Sequence, residues 1–155
     1  MEKAEMMQQT KRDFMTAAAA SAFAAVIAPR LANASPADVA AEIRKAFGDR
    51  TMSPGRVKID APQVAENGLL VPVDVSVESP MTAADHVRSV HIFAEGNPLP
   101  SVVTYRFAPE AGRASASTRI RLAQSQNIVA IAEMSDGSLF STRVEVRVTV
   151  GGCGS

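Results

Sequence analysis

Tryptophan is absent from this chain, whose 155 residues include only one Tyr and six Phe. Sites for sugars and single-stranded nucleic acid rely on stacked aromatic side chains, so the composition argues against both. Lys and Arg together number 16, as do Asp and Glu. Because neither sign of charge is in excess, no overall attraction to nucleic acid or to an acidic membrane is expected.

The first 34 residues have the pattern of a cleavable export signal. Basic residues in KRDFMT (11–16) precede the apolar run AAAASAFAAVIA (17–28), and ANA (32–34) is an A-x-A cleavage site. The apolar run is shorter than the ~20 residues that a membrane-spanning helix needs. TKRDFM resembles the twin-arginine export box, with Lys11 in the first arginine position. An ordinary secretory signal and an amphipathic helix are the alternatives.

We therefore expect a twin-arginine-type signal peptide, cleaved after Ala34, and export to the periplasm. Residues 1–34 hold four of the basic and three of the acidic residues, so residues 35–155 carry a net charge of −1. A domain of this size can bury about two-thirds of its unfolded surface. It can therefore fold without disulfides.

A single cysteine, Cys153, excludes an intrachain disulfide. In an oxidising compartment an unpaired thiol indicates either an intermolecular bond or a reactive group. The chemistry of this protein is therefore expected to centre on Cys153.

The sequence predicts one helix, over residues 35–49. Ser35 can cap its first turn. Val39, Ile43 and Phe47 are spaced i, i+4, i+8 and form one apolar stripe, which must pack against the rest of the domain.

Beyond the helix the hydrophobic period is two. Every second residue is Val in LVPVDVSVE (70–78) and in RVEVRVTV (143–150), which is typical of half-buried strands. Weaker strands are predicted at 57–60, 87–95, 102–107, 115–122 and 128–133. Seven short strands separated by turns predict a mainly β fold, an immunoglobulin-like antiparallel β-sandwich over residues 35–150. An open barrel is the alternative.

Turn-forming residues separate these strands. Glu66-Asn67-Gly68 is expected to form a hairpin turn, and further turns are expected at 96–100, 108–112 and 135–138. Pro72 cannot donate a ladder hydrogen bond, so it predicts an edge or an outward-facing position.

The last strand is followed by Gly151-Gly152-Cys153-Gly154-Ser155. Glycine samples both signs of φ, and residues 151–153 span about 10 Å when extended. We expect residues 151–155 to be a flexible carrier arm that holds the thiol clear of the sandwich. The tail contains no basic residue that would lower the thiol pKa from about 8.5. The pattern favours presentation of a sulfur atom to enzymes over catalysis.

Four other polar residues are weaker candidates for function. His86 and His91 are expected to be structural, although His91 could form a pH-dependent contact. Arg119 and Arg121 alternate with apolar residues and are expected on a solvated strand face. Alternatively, they form a surface that attracts anionic partners. No catalytic triad, metal-ligand spacing or phosphate loop is evident, so neither a metal nor a cofactor nor enzymatic activity is expected.

Several stretches together resemble one family. VTVGGCGS, AENGLLVPVDV (65–75), GNPLPSVVTYRFAP (96–109) and STRIRLAQSQNIVAIAEMSDG (117–137) are similar to SoxY, the sulfur-carrier subunit of the bacterial thiosulfate-oxidation system. The SoxY chain ends in Gly-Gly-Cys-Gly-Gly. Ser155 departs from this pattern by replacing the final glycine.

The resemblance implies a covalent carrier. Cys153 would be the attachment site for thiosulfate-derived sulfur, and Gly151, Gly152 and Gly154 would form the arm. The implied partners are a SoxZ-like β-sandwich subunit in a heterodimer, a haem-containing loading enzyme, a hydrolase that releases sulfate and, in some organisms, a sulfane dehydrogenase.

Two other functions remain open from the residues alone. An exported structural or interaction protein could use Cys153 for an intermolecular disulfide. An exported redox enzyme or metallochaperone could use the same thiol, although one thiol rarely binds a metal by itself.

Overall fold

The computed structural model of the protein describes residues 35–149. The predicted signal peptide (1–34) and carrier arm (151–155) lie outside the described residues. One helix, α1 (Pro36–Phe47), precedes nine strands. They are β1 Met52–Pro54, β2 Val57–Asp60, β3 Val64–Ala65, β4 Val71–Val77, β5 Val87–Ala94, β6 Ser101–Arg106, β7 Ala114–Ile120, β8 Gln126–Met134 and β9 Leu139–Val148.

The strands form two sheets that are not closed into a barrel, which confirms the predicted sandwich and excludes the alternative. The larger sheet has the order β1-β9-β8-β5-β6, with β3 also paired to β9, and the smaller sheet has the order β2-β4-β7. Pairing is antiparallel except for β1 and β3, which both run parallel to β9. No helix in residues 35–149 is long and apolar enough to span a membrane.

Strand β4 shows how the alternating pattern builds the core. Its burial alternates without exception, so that the four Val side chains point inward and Pro72, Asp74 and Ser76 are exposed. The Val side chains pack against residues of the larger sheet that include Ile92, Ile128 and Val146. Pro72 points outward as predicted. It is tolerated in a middle strand because β2 pairs only with residues 74–77.

Helix α1 begins after its predicted cap, Ser35, and ends at Phe47, two residues before the predicted end of the helix. Ser35 and Asp38 form a reciprocal capping box, and Gly48 ends the helix with a φ of 67°. Val39 and Phe47 are buried against the outer face of the larger sheet. They pack against four residues of that sheet, which form a second apolar cluster outside the main core: Phe93, Val129, Ile131 and Leu139.

Arg50 fixes the chain just after α1. Its guanidinium donates to Glu133 Oε1 at 3.0 Å and to the Gly137 carbonyl oxygen at 3.1 Å, while its Nε donates to the Phe47 carbonyl oxygen at 3.0 Å. The helix is thereby linked to β8 and to the β8–β9 turn as well as by apolar packing.

One turn prediction was wrong. Glu66-Asn67-Gly68 does not form a hairpin, because β3 pairs with β9 in the larger sheet whereas β4 belongs to the smaller one. The segment instead crosses between the sheets, and Asn67 Oδ1 accepts a hydrogen bond of 2.8 Å from the Leu69 backbone N–H.

Substitutions at buried and exposed positions should differ clearly in their effect on stability. Ile128→Ala removes a side chain with 0% exposure and should lower the free energy of unfolding by about 2–5 kcal/mol. Val64→Ala removes an exposed side chain and should change it by less than about 0.5 kcal/mol. Chemical denaturation measures both, and equal effects would contradict the assigned core.

Candidate functional site

Cys153 and the arm glycines Gly151, Gly152 and Gly154 lie outside the described residues, so their predicted role stays a prediction. The structure does describe the point from which they follow. Strand β9 ends at Val148, and Thr149 is the last described residue, four positions before Cys153.

The end of β9 is held by side-chain and backbone hydrogen bonds. Ser125 Oγ accepts from the Val148 N–H at 2.9 Å. Thr149 donates twice, through its N–H to the Ala65 carbonyl oxygen at 3.1 Å and through Oγ1 to the Glu66 carbonyl oxygen at 2.8 Å. The chain is thus fixed to the sandwich up to Thr149.

A buried polar network lies beside this strand end. Gln126, which is 8% exposed, accepts from the Gly96 N–H at 2.6 Å through Oε1. Its Nε2 donates to Asn97 Oδ1 and to the Gln124 carbonyl oxygen, both at 3.0 Å. Asn97 in turn donates to the Arg121 carbonyl oxygen at 2.7 Å. These bonds join two loops that are distant in sequence, 95–100 and 121–125.

The close approach of these loops leaves little room for a side chain at Gly96. A Cβ atom added at this position would lie 2.9 Å from Gln124 Nε2 and 3.2 Å from Gln126 Cβ. We call this region, formed by the β3–β4 connection and the two loops around the end of β9, the β9 end of the sandwich.

Glu95 contributes a buried carboxylate at the same end. It is 8% exposed, accepts from Asn127 Nδ2 at 2.8 Å and pairs with Arg143 at 2.7 Å. Both oxygens of the carboxylate are therefore occupied. Among the described residues, no fully buried side-chain nitrogen or oxygen lacks a hydrogen-bond partner. The network thus holds the β9 end in shape, and its polar groups are already paired within the protein.

His91 has the structural surroundings expected for it. Its ring packs edge-on against Phe47 with ring centroids 4.7 Å apart. Its Nδ1 lies 3.1 Å from Thr104 Oγ1 and its Nε2 lies 3.2 Å from Ser89 Oγ. Burial lowers the pKa of His91 below its ordinary value; the charge of Glu133 opposes this shift, and that of Arg106 adds to it.

The remaining candidates serve separate local contacts. His86 Nδ1 lies 3.1 Å from the Thr82 carbonyl oxygen. Arg119 and Arg121 are both exposed, as a solvated surface requires, but only Arg119 lies on β7, because that strand ends at Ile120. Within residues 35–149, no three His, Cys, Asp or Glu side chains lie together in a way that could hold a metal ion.

The fold places the chain among immunoglobulin-like β-sandwich proteins. The family model described as sulfur oxidation protein SoxY matches residues 43–153. The chain therefore belongs to the SoxY family, and the match extends to Cys153. A search of curated protein sequences found no significant match.

A solved SoxY structure agrees with this assignment, and superoxide reductases share the fold. The sulfur carrier protein SoxY from Chlorobium limicola f thiosulfatophilum is 29% identical, with a TM-score of 0.63 over 75% of this chain and 100% of that one. A variant of the superoxide reductase (neelaredoxin) from Ignicoccus hospitalis is 25% identical, with a TM-score of 0.55 over 68% of this chain and 85% of that one. A putative superoxide reductase from Thermotoga maritima, 22% identical with a TM-score of 0.51 over 59% and 84%, shares the fold alone.

The lowered pKa of His91 predicts a pH dependence of stability. Between the lowered pKa and about 6.5 the unfolded chain binds more protons than the folded one, so the free energy of unfolding should fall as the pH decreases through this range. His91→Gln should reduce this slope. Urea denaturation from about pH 5 to 8 measures it, and identical slopes in the two proteins would contradict the assignment.

Proposed function

We propose that the protein is a periplasmic covalent sulfur carrier that holds thiosulfate-derived intermediates on Cys153 during sulfur oxidation. The observation that carries the proposal is the SoxY family match, which extends to Cys153. The chain is proposed to be exported by its N-terminal signal, to need no cofactor and to catalyse no reaction itself.

The β9 end supports this role because it fixes where the arm begins. Thr149 is bonded to the β3–β4 connection, and Cys153 is four positions further along the chain. At ~3.3–3.6 Å per residue, the thiol can reach about 13–14 Å beyond the sandwich. Glycine at 151, 152 and 154 gives the arm a narrow cross-section, which suits entry into a confined site on another protein.

The first chemical step is oxidative. The Cys153 thiolate and thiosulfate lose two electrons and form the S–S bond of Cys–S–S–SO3⁻; a haem-containing loading enzyme accepts the electrons. In the second step water attacks the sulfonate sulfur, giving sulfate, two protons and Cys–S–S⁻. A hydrolase supplies this step, because the carrier brings only the sulfur nucleophile.

The proposed partners follow from the family. A SoxZ-like β-sandwich subunit forms the heterodimer, and the loading enzyme and the hydrolase act on the arm in turn. Where a sulfane dehydrogenase is present, it oxidises the sulfur that remains on Cys153.

Intact-protein mass spectrometry tests the covalent role directly. The mature protein from thiosulfate-grown cells should carry an adduct of about 112 Da, the mass that thiosulfate adds to a reactive thiol. Cys153→Ser should abolish the adduct without lowering the melting temperature. A wild-type protein found only as a disulfide dimer would instead favour the structural alternative, and a large fall in the melting temperature of the variant would indicate a structural thiol.

Gly152→Val tests the requirement for a narrow arm. A branched side chain next to Cys153 should slow enzymatic loading by about tenfold or more through steric exclusion from the partner's cleft. The melting temperature should not change. Ser155→Gly, which restores the usual family residue, is the control and should load at the wild-type rate. Equal loading of the Val variant and the wild type would contradict the steric argument.

A further inference from the structure

Four large apolar side chains are strongly exposed among the described residues, and all four lie at the β9 end. They are Val64, Leu69, Leu70 and Leu99, with exposed fractions of 54%, 45%, 64% and 79%. We call them the apolar rim. The loops at the opposite end, 78–86, 107–113 and 135–138, contain no large hydrophobic residue of this exposure. Single exposed Leu residues are ordinary on protein surfaces, but their restriction to one end indicates an interaction site.

The rim residues are presented on a backbone that is held in place. Leu69 N–H donates to Asn67 Oδ1, and the neighbouring Gly68 carbonyl oxygen accepts from Leu122 N–H at 2.8 Å. Val64 is paired with Arg147 of β9. The loop that carries Leu99 is closed by a bond from Ala94 N–H to the Pro100 carbonyl oxygen at 2.9 Å. Because the backbone of this surface is already ordered, little conformational entropy is lost when a partner binds, and this favours association.

Charge at the β9 end is mixed. Three carboxylates, Glu66, Glu95 and Glu145, lie there with four guanidinium groups, Arg119, Arg121, Arg143 and Arg147. Glu95 is paired with Arg143 at 2.7 Å, and Glu145 lies 3.8 Å from Arg147. Two of the four guanidinium groups are paired with carboxylates, and the excess is one positive charge. Because this excess is small, apolar contact is the main interaction that the rim offers to a partner.

We propose that the apolar rim is the docking surface for the folded protein partners that take Cys153 into their reactive sites. This inference rests on the proposed carrier function. Cys153 is only four positions beyond Thr149, so a protein that encloses the thiol must come within about 14 Å of Thr149. Its surface around the cleft then meets the rim. The matching surface on the partner is a cleft mouth lined by apolar side chains and without a strong charge.

Two other occupants fit the surface less well. The chain's own residues 150–155 bring only Val150 and Cys153 as apolar side chains, too few to cover four aliphatic residues. A second copy of the chain would place both arms at one interface and shut each thiol away from its enzymes.

A pair of charge substitutions tests the rim. Leu70→Glu with Leu99→Glu alters its two most exposed members. Ala83→Glu with Ala111→Glu adds the same charge to exposed positions in loops at the opposite end. With the purified loading enzyme and thiosulfate, the rim variant should load about tenfold more slowly at low carrier concentration, through a higher KM with kcat retained. The control variant should load at the wild-type rate.

Further measurements separate the possible outcomes. Alkylation of Cys153 by iodoacetamide should proceed equally in all three proteins, since a small reagent needs no docking surface. Wild-type loading should also change little between about 0.05 and 0.5 M salt. If the wild type never loads, the proposed function fails. If the wild type and the rim variant load equally, only the rim proposal fails.

Two results would overturn the rim proposal while leaving the carrier function intact. An alkylation rate altered only in the rim variant would show that the rim holds the chain's own arm. A wild-type dimer, or a heterodimer with the proposed SoxZ-like subunit, that dissociates in the rim variant, measured by sedimentation, would show that the rim is a subunit interface and not the docking surface for the enzymes.

Discussion

Strand β9 is bonded to neighbours on both edges, and this pairing is the constraint on which the candidate site depends. β8 lies antiparallel along one edge, while β1 and β3 occupy opposite ends of the other edge in parallel. Hydrogen bonds that β9 and Thr149 donate to Ser125 Oγ and to the Ala65 and Glu66 carbonyl oxygens then extend the fixed region to Thr149. The proposed sulfur attachment site, four positions further along the chain, therefore follows a defined point on a rigid body. The proposed division between a stationary sandwich and a short movable segment follows from this pairing.

Strands with one buried and one exposed face could be predicted from the sequence, because apolar and polar residues alternate along them. β4 follows its Val spacing residue by residue, and the predicted bounds of β2 agree with the structure. The helix was equally predictable, because Ser35 caps its start and its apolar stripe faces the sheet, although its end lies two residues before the predicted one. The family assignment, too, depended on residues that are visible in the sequence.

Other features could not be predicted because they depend on contacts distant in sequence. β1 and β3 contain three and two residues, too few to show a period, and form because β9 has an edge to pair with. The network of Gln126 joins residues about 30 positions apart, although Gly96-Asn97 had already marked a turn. The exposure of Leu69 and Leu70 could not be predicted either, because two adjacent apolar residues before a strand could equally have been buried.

The parallel pairing of β3 with β9 also has a mechanical consequence. Strand hydrogen bonds run across the strands, so tension applied along β9 from beyond Thr149 loads the bonds to β3 and β8 in shear, several at a time. Because the force is shared among these bonds, no single one has to bear it. Under the proposed role, an enzyme that takes the thiol into its active site applies force along β9. Because β9 resists this force, the sandwich keeps its fold each time sulfur is loaded and removed.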